Sequence, residues 1–146
     1  MTTQKIAARV LRAIGMLLFA LGIVHLLATP HIPSLLSGSP AAVYVRAVGP
    51  MLLNHVLVGI LLLPLGYTTW VAASVRQRGE GWATRVLVAN TLVVLTMPLS
   101  IVIFMRNPEY YAAPLFLTGV GLVAIISLVM VAAILVLLRG RSSSRA

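Results

Sequence analysis

Four long apolar runs dominate this chain, and each is long enough to cross a lipid bilayer as a helix. The hydrocarbon core is about 30 Å thick, which takes about 20 helical residues. The runs cover residues 6–28, 51–75, 86–105 and 112–138. Because lipid offers no partner to an unpaired backbone N–H or C=O, we predict that each run is an α-helix.

The composition agrees with a chain that is surrounded by lipid. Of the 146 residues, 60% are apolar and only 9% are charged. An average soluble domain is about half apolar and about a quarter charged. The sequence therefore predicts an all-α fold, an integral membrane bundle of four transmembrane helices. Residues 1–146 are expected to form a single membrane domain.

The basic residues predict the orientation of this bundle. Nine of the eleven Lys and Arg residues fall on one side of the four spans. They are Lys5, Arg9, Arg12, Arg76, Arg78, Arg85, Arg139, Arg141 and Arg145. Arg46 and Arg106 fall on the other side. Positively charged loops stay in the cytoplasm, so we expect a multi-pass protein of the cell membrane with both termini cytoplasmic.

The same orientation assigns the connections between the spans. Outer loops are expected at 29–50 and 106–111, an inner loop at 76–85 and a cytoplasmic tail at 139–146. Prolines in the first outer loop predict irregular structure, with one short helix at 41–48. Pro64 and Pro98 lie inside spans and predict kinks. The carbonyls that these prolines free either line a cavity, as in a substrate pathway, or accept bonds from the hydroxyls of Thr68, Thr96 and Ser100 in a kinked packing arrangement, which the sequence favours.

The expected partners are the lipid bilayer and other membrane subunits or further copies of this chain. The net charge of +9 does not indicate a nucleic-acid partner, because the basic residues form short clusters between apolar runs. The chain has no cysteine, which excludes disulfides, thiolate metal sites and thiol redox chemistry. Asn90, inside the third span, is expected to bond to a neighbouring helix.

All three histidines are expected at the outer end of the bundle. His25 lies near the end of the first span, and His55 lies one turn after the start of the second. Consecutive spans are expected to be antiparallel neighbours, which places both rings at the same depth. His31 follows in the outer loop, and Glu109, one of two acidic residues, lies in the other outer loop.

Glycines mark the helix faces on which His25 and His55 lie. Gly22 is three residues before His25, and Gly59 is four residues after His55. On each helix a second glycine lies a heptad further away from the histidine. Positions three, four and seven apart share a helix face, and small residues allow membrane helices to pack closely. Each histidine is therefore predicted to head a glycine-lined stripe that faces the protein interior.

One hypothesis for the histidines is a haem b held between His25 and His55. Neutral imidazole is a common axial ligand for haem iron. Glycine on the same face would leave room for the macrocycle. The propionates would need cations near the outer surface, and Arg46 and Arg106 are the two basic residues expected there.

Two other hypotheses stand beside the haem. A copper or zinc ion would take imidazole ligands, and its candidate ligands are His25, His31 and His55, with Glu109 or Met51 as a further ligand. The third hypothesis is structural. In it, each buried imidazole donates one hydrogen bond to a backbone carbonyl or a neighbouring polar side chain and performs no chemistry.

The sequence favours a non-catalytic subunit or accessory protein of a membrane assembly. No acid, base and nucleophile lie at a spacing typical of catalysis, so we predict no catalytic residue and favour a function other than an enzyme. An ion-coupled carrier usually has an ionisable group near the bilayer centre, and both acidic residues here lie in loops. The alternative is a haem b- or metal-binding redox protein that uses His25 and His55.

Overall fold

Helices make up nearly all of the part of the chain that the structure describes. The computed structural model describes residues 2–35, 37–38, 40–76, 80–104 and 114–142. The long helices are α1 (Thr2–Ala28), α3 (Ala41–Arg76), α4 (Gly81–Phe104) and α5 (Pro114–Ser142), and a short helix α2 covers Ile32–Leu35. A 3₁₀ turn at Thr29–His31 joins α1 to α2. The all-α prediction is confirmed, with one long helix for each apolar run.

All four long helices are long and apolar enough to cross a membrane. Large apolar side chains remain exposed along them, including Leu27 with 69% of its surface exposed and Phe104 with 80%. Water would penalise so much apolar surface, whereas lipid accepts it. The architecture is therefore compatible with a small multi-pass membrane protein.

The second long helix, α3, begins before the span that the sequence predicts. It starts at Ala41 rather than Met51, so the short helix expected at 41–48 is present but continues directly into the apolar run. Pro50 lies inside this continuous helix. A proline ring clashes with the Cβ of the residue before it, and Gly49 has no Cβ. The helix therefore continues through Pro50 at a lower steric cost than it would if residue 49 had a Cβ.

The expected irregular loop at 29–50 is also mostly helical. A 3₁₀ turn and α2 follow α1, and α3 occupies the second half of the segment. Pro30 and Pro33 fall in the first turns of these short helices, where a proline has no intrahelical N–H bond to lose. The hydroxyl of Ser34 donates to the backbone oxygen of His31 at 2.7 Å. Pro30 and Pro33, which were expected to make the loop irregular, instead lie at the starts of short helices.

Residues 15–68 form one compact unit, in which α1 and α3 pack through glycine. A Cβ on Gly66 would lie 2.7 Å from the backbone oxygen of Gly15. A Cβ on Gly22 would lie 3.0 Å from the backbone oxygen of Gly59. No side chain fits at such distances, so the two backbones are in direct contact. The predicted glycine stripes therefore face the neighbouring helix.

A second compact unit consists of Met1–Ile14 and Thr69–Ala146. In it α4 packs along α5. Its largest fully buried apolar side chains are Leu11, Leu87, Val94, Met130 and Leu137. Alanine is also frequent among its buried residues, which allows close helix packing.

Candidate functional site

The imidazoles of His25 and His55 lie side by side. His25 is on the last turn of α1 and His55 is on α3. Their ring centroids are 4.6 Å apart, and the ring planes are tilted by 34°. Both side chains are half-buried. The structure thus brings together the two histidines that sequence position and glycine spacing predict to be neighbours.

Glycine contacts next to the pair allow the two rings to meet. Gly22 lies about one turn before His25, and Gly59 lies about one turn after His55. A Cβ on Gly59 would lie 2.8 Å from the side chain of Leu26. A larger residue at Gly22 would meet the backbone oxygen of Gly59 at 3.0 Å and would force α1 and α3 to shift next to the imidazoles.

One hydrogen bond fixes the orientation and tautomer of His25. Its Nδ1 atom lies 3.0 Å from the backbone oxygen of Leu21. A carbonyl oxygen only accepts hydrogen bonds, so Nδ1 carries the proton and Nε2 of the neutral ring keeps its lone pair. The hydroxyl of Thr29 donates to the backbone oxygen of His25 at 2.8 Å. His25 therefore offers one fixed acceptor nitrogen.

The ring of His55 has no hydrogen bond to any residue that the structure describes, and its ring contact is with His25. The structural hypothesis predicts that each imidazole donates to a carbonyl or a polar neighbour. The bond to Leu21 meets that expectation for His25 alone. Both nitrogens of His55 and one of His25 are thus available to a ligand or to water.

The other residues predicted for this cluster are placed elsewhere or are not described. His31 lies in the 3₁₀ turn and Arg46 lies near the start of α3, and both are exposed. Arg106 and Glu109 lie outside the described residues. Within the described ranges, no group of three or more His, Cys, Asp or Glu residues could hold a metal ion. Only the two-histidine part of the predicted copper or zinc site is therefore present there.

A second polar contact joins α3 to α4. The side-chain nitrogen of Asn90 donates to the hydroxyl of Thr69 at 2.9 Å. Thr69 is fully buried. The prediction that Asn90 bonds to a neighbouring helix is confirmed.

Ser127 has a role that the sequence analysis missed. Pro98 has no N–H, so the carbonyl of Val94, four residues earlier, loses its helical partner. The hydroxyl of Ser127, on α5, donates to this carbonyl at 3.3 Å and to the carbonyl of Val123 at 2.8 Å. Ser127 is fully buried. A serine in the middle of the apolar run of α5 is the sequence feature that could have predicted this contact.

The hydroxyls that were expected to serve the two prolines have other acceptors among their bonds. Thr96 donates to the carbonyl of Val93 at 2.6 Å, one residue before the carbonyl that Pro98 frees. Thr68 donates to the carbonyl of Pro64 itself at 2.7 Å. For Pro98, proximity in sequence therefore did not identify the donor, because the hydroxyl that bonds to the Val94 carbonyl comes from another helix.

An open apolar groove of about 220 Å³ lies between residues 3–10 of α1 and 129–136 of α5. Its lining is almost entirely valine, alanine and isoleucine, with Thr3 as the one polar residue. Such a lining offers contact to an apolar chain and no group for acid–base chemistry. The groove therefore offers fewer groups for binding or catalysis than the histidine pair does.

The comparisons with known proteins identify no relative. No protein-family model, no curated protein and no solved structure matches the chain. The function is therefore inferred from the side chains of this protein alone.

Proposed function

We propose that this protein is a non-catalytic subunit or accessory protein of a membrane assembly. The use of polar side chains inside the long helices is the observation that carries this proposal. Asn90 bonds to Thr69, and Ser127 bonds to the carbonyl of Val94. Polar groups that bond between helices are a common means of holding membrane bundles together. These groups serve helix packing rather than a substrate.

The surface of the helices supports the same function. In the most apolar window of each long helix, only 17–33% of the residues are buried within the chain. The remaining apolar surface suits lipid and the apolar faces of neighbouring subunits. A protein of this kind works through helix contacts, in agreement with the lack of a catalytic constellation in the sequence.

In this proposal both termini are cytoplasmic. The nine-to-two distribution of Lys and Arg residues supports this orientation. The histidine pair then lies towards the outer surface, near the outer end of α1. The exposed Glu80, one residue before α4, lies on the cytoplasmic side.

Cysteine labelling tests the orientation, because the natural chain has no cysteine to remove. Single variants Ser34→Cys and Glu80→Cys place thiols at two exposed positions. A membrane-impermeant maleimide should label Ser34→Cys on intact cells and Glu80→Cys only after permeabilisation. The unsubstituted chain is the blank. Labelling of both thiols from one side, or the reverse pattern, overturns the orientation.

Purification from native membranes tests the subunit role. The tagged full-length chain should carry another membrane protein at a fixed molar ratio in two mild detergents of different chain length. Native mass spectrometry gives that ratio. Recovery of this chain by itself in both detergents, as a monomer or as a homo-oligomer, contradicts the proposal.

A second candidate function is favoured by one observation, the 4.6 Å separation of the His25 and His55 rings. In this candidate the two imidazoles bind a metal ion or haem b, and the short ring separation favours the metal ion. Absorption spectra and metal analysis of detergent-purified protein test it. A haem site requires a reduced-minus-oxidised haem spectrum that His55→Ala abolishes, and a metal site requires a bound ion that the same substitution removes.

A further inference from the structure

We propose that His25 and His55 together bind one divalent copper ion, as adjacent ligands in a tetragonal coordination shell. This inference rests on the second candidate function and specifies its ligand. It does not depend on the accessory-subunit role or on the orientation in the membrane.

The separation of the two rings is the first argument. A metal–nitrogen bond of about 2.0 Å, with the ring radius added, places an imidazole centroid roughly 3.2 Å from the ion. Ligands at right angles then have centroids roughly 4.5 Å apart, and tetrahedral ligands have centroids roughly 5.2 Å apart. The observed distance is 4.6 Å. It matches adjacent positions of the square-planar or tetragonal geometry that Cu²⁺ prefers.

The same distance argues against a haem between the two rings. Axial ligands lie on opposite sides of the iron, so their centroids are roughly 6.4 Å apart. The macrocycle would also have to enter between rings whose centroids are 4.6 Å apart. Haem binding would therefore require α1 and α3 to separate, and their glycine contacts oppose that movement.

The free nitrogens are the second argument. The bond from Nδ1 of His25 to the backbone oxygen of Leu21 leaves Nε2 as the ligand atom. Metal-bound histidines usually donate their other N–H to a carbonyl or carboxylate, which orients the ring and raises its basicity. His25 already has this arrangement. The ring of His55 has no hydrogen bond within the described residues and is free to supply the second nitrogen.

Water completes the shell in this proposal. Neither a thiolate nor a third histidine or carboxylate joins the pair within the described ranges. A neutral two-imidazole, water-completed shell suits Cu²⁺, which binds nitrogen ligands more tightly than the other divalent first-row ions do. Both imidazoles are half-buried, so neither ring is enclosed by the described residues.

Pulsed electron paramagnetic resonance of the full-length chain tests this inference directly. The protein is purified in detergent with a histidine-free tag, stripped with a chelator and given one equivalent of Cu²⁺. We expect an axial tetragonal signal, with modulation combination lines from the remote nitrogens of two equatorial imidazoles. A spectrum that shows one coordinated imidazole or none in the natural chain overturns the inference, because the two rings then do not share a copper ion.

Three matched variants assign the ligands. His25→Gln and His55→Gln should each weaken copper binding by at least about tenfold and abolish the two-imidazole lines. His31→Gln removes a nearby exposed histidine and should leave both unchanged. An equal loss in His31→Gln, or affinities within twofold of the natural chain in both pair variants, overturns the assignment.

Haem is the contrasting probe in the same preparation. Added haem should give no low-spin spectrum of the kind that two axial histidines produce. Such a spectrum, if lost in both His25→Gln and His55→Gln, overturns the copper geometry and establishes the haem alternative. None of these results bears on maleimide labelling or on co-purified chains, so failure of the metal site and failure of the subunit role are distinguishable.

Discussion

The helix contacts within residues 15–68 and the contacts made by α4 use different chemistry. In the first region, α1 and α3 touch through glycine backbones, and next to them two imidazoles keep nitrogens that no described residue uses. In the second region, an amide and a hydroxyl bond across to a neighbouring helix. Because α1 and α3 pack without polar side chains, the ring nitrogens of His25 and His55 remain available for binding. This difference locates the candidate site at His25 and His55.

The largest effect should come from removing the glycine contact. Gly66→Ala would place a Cβ 2.7 Å from the backbone oxygen of Gly15, where neither helix backbone can yield cheaply. We expect a loss of about 2–3 kcal/mol in the free energy of unfolding, as for other overpacked sites. Denaturant titration in detergent, followed by circular dichroism, measures this loss.

Gly119→Ala is the matched control, since a Cβ there meets nothing within 4 Å. It should be neutral or stabilise α5 by up to about 1 kcal/mol, because alanine is the better helix former. Equal effects of the two substitutions would mean that glycine does not bring α1 and α3 together.

The amide contact in the second region should have a smaller effect. A double-mutant cycle with Asn90→Ala and Thr69→Val isolates the bond between the two side chains. We expect a coupling energy of about 1 kcal/mol, within the range measured for hydrogen bonds between membrane helices. Additive losses in unfolding experiments would show that the bond does not contribute to stability.

The Ser127 contact should depend on Pro98, and the coupling energy between these two residues should be smaller than that of the amide contact. Ser127→Ala is expected to lower the free energy of unfolding by about 1 kcal/mol in the natural chain. In a Pro98→Ala background the Val94 carbonyl regains a helical N–H, so the loss should shrink by about half. Thr118→Val is the control, because Thr118 is exposed and its hydroxyl bonds to the Pro114 carbonyl of its own helix. The same loss in both backgrounds would refute the link to the proline.

The smallest effect on stability should come from the histidine pair itself. His25→Gln and His55→Gln are expected to change the free energy of unfolding of the metal-free protein by less than about 1 kcal/mol. The rings are half-buried, and the contacts between α1 and α3 are made by glycine. A loss as large as that of Gly66→Ala would show that the imidazoles are packing residues and remove the contrast between the two regions.

Hydrophobicity and glycine spacing predicted much of this fold because lipid leaves few choices. Backbone groups in hydrocarbon must bond within their own segment, so each apolar run forms a helix. Gly22 and Gly59 showed which faces meet, and the same spacing placed His25 beside His55. These inferences need only helix periodicity.

Other features depended on information that local sequence does not contain. The start of α3 was missed because the prolines of the outer loop were taken as signs of irregular structure, although Gly49 removes one steric clash at Pro50. Ser127 was missed because the carbonyl that it serves belongs to another helix. His31 was grouped with the other histidines by loop position, and no third His, Cys, Asp or Glu side chain joins the pair within the described residues.

The length of α3 has a consequence for how the chain meets the two water phases. Its 36 residues extend about 54 Å, well beyond the hydrocarbon thickness of about 30 Å. A helix that crosses a bilayer with so many extra residues must tilt strongly from the membrane normal or extend beyond the lipid headgroups.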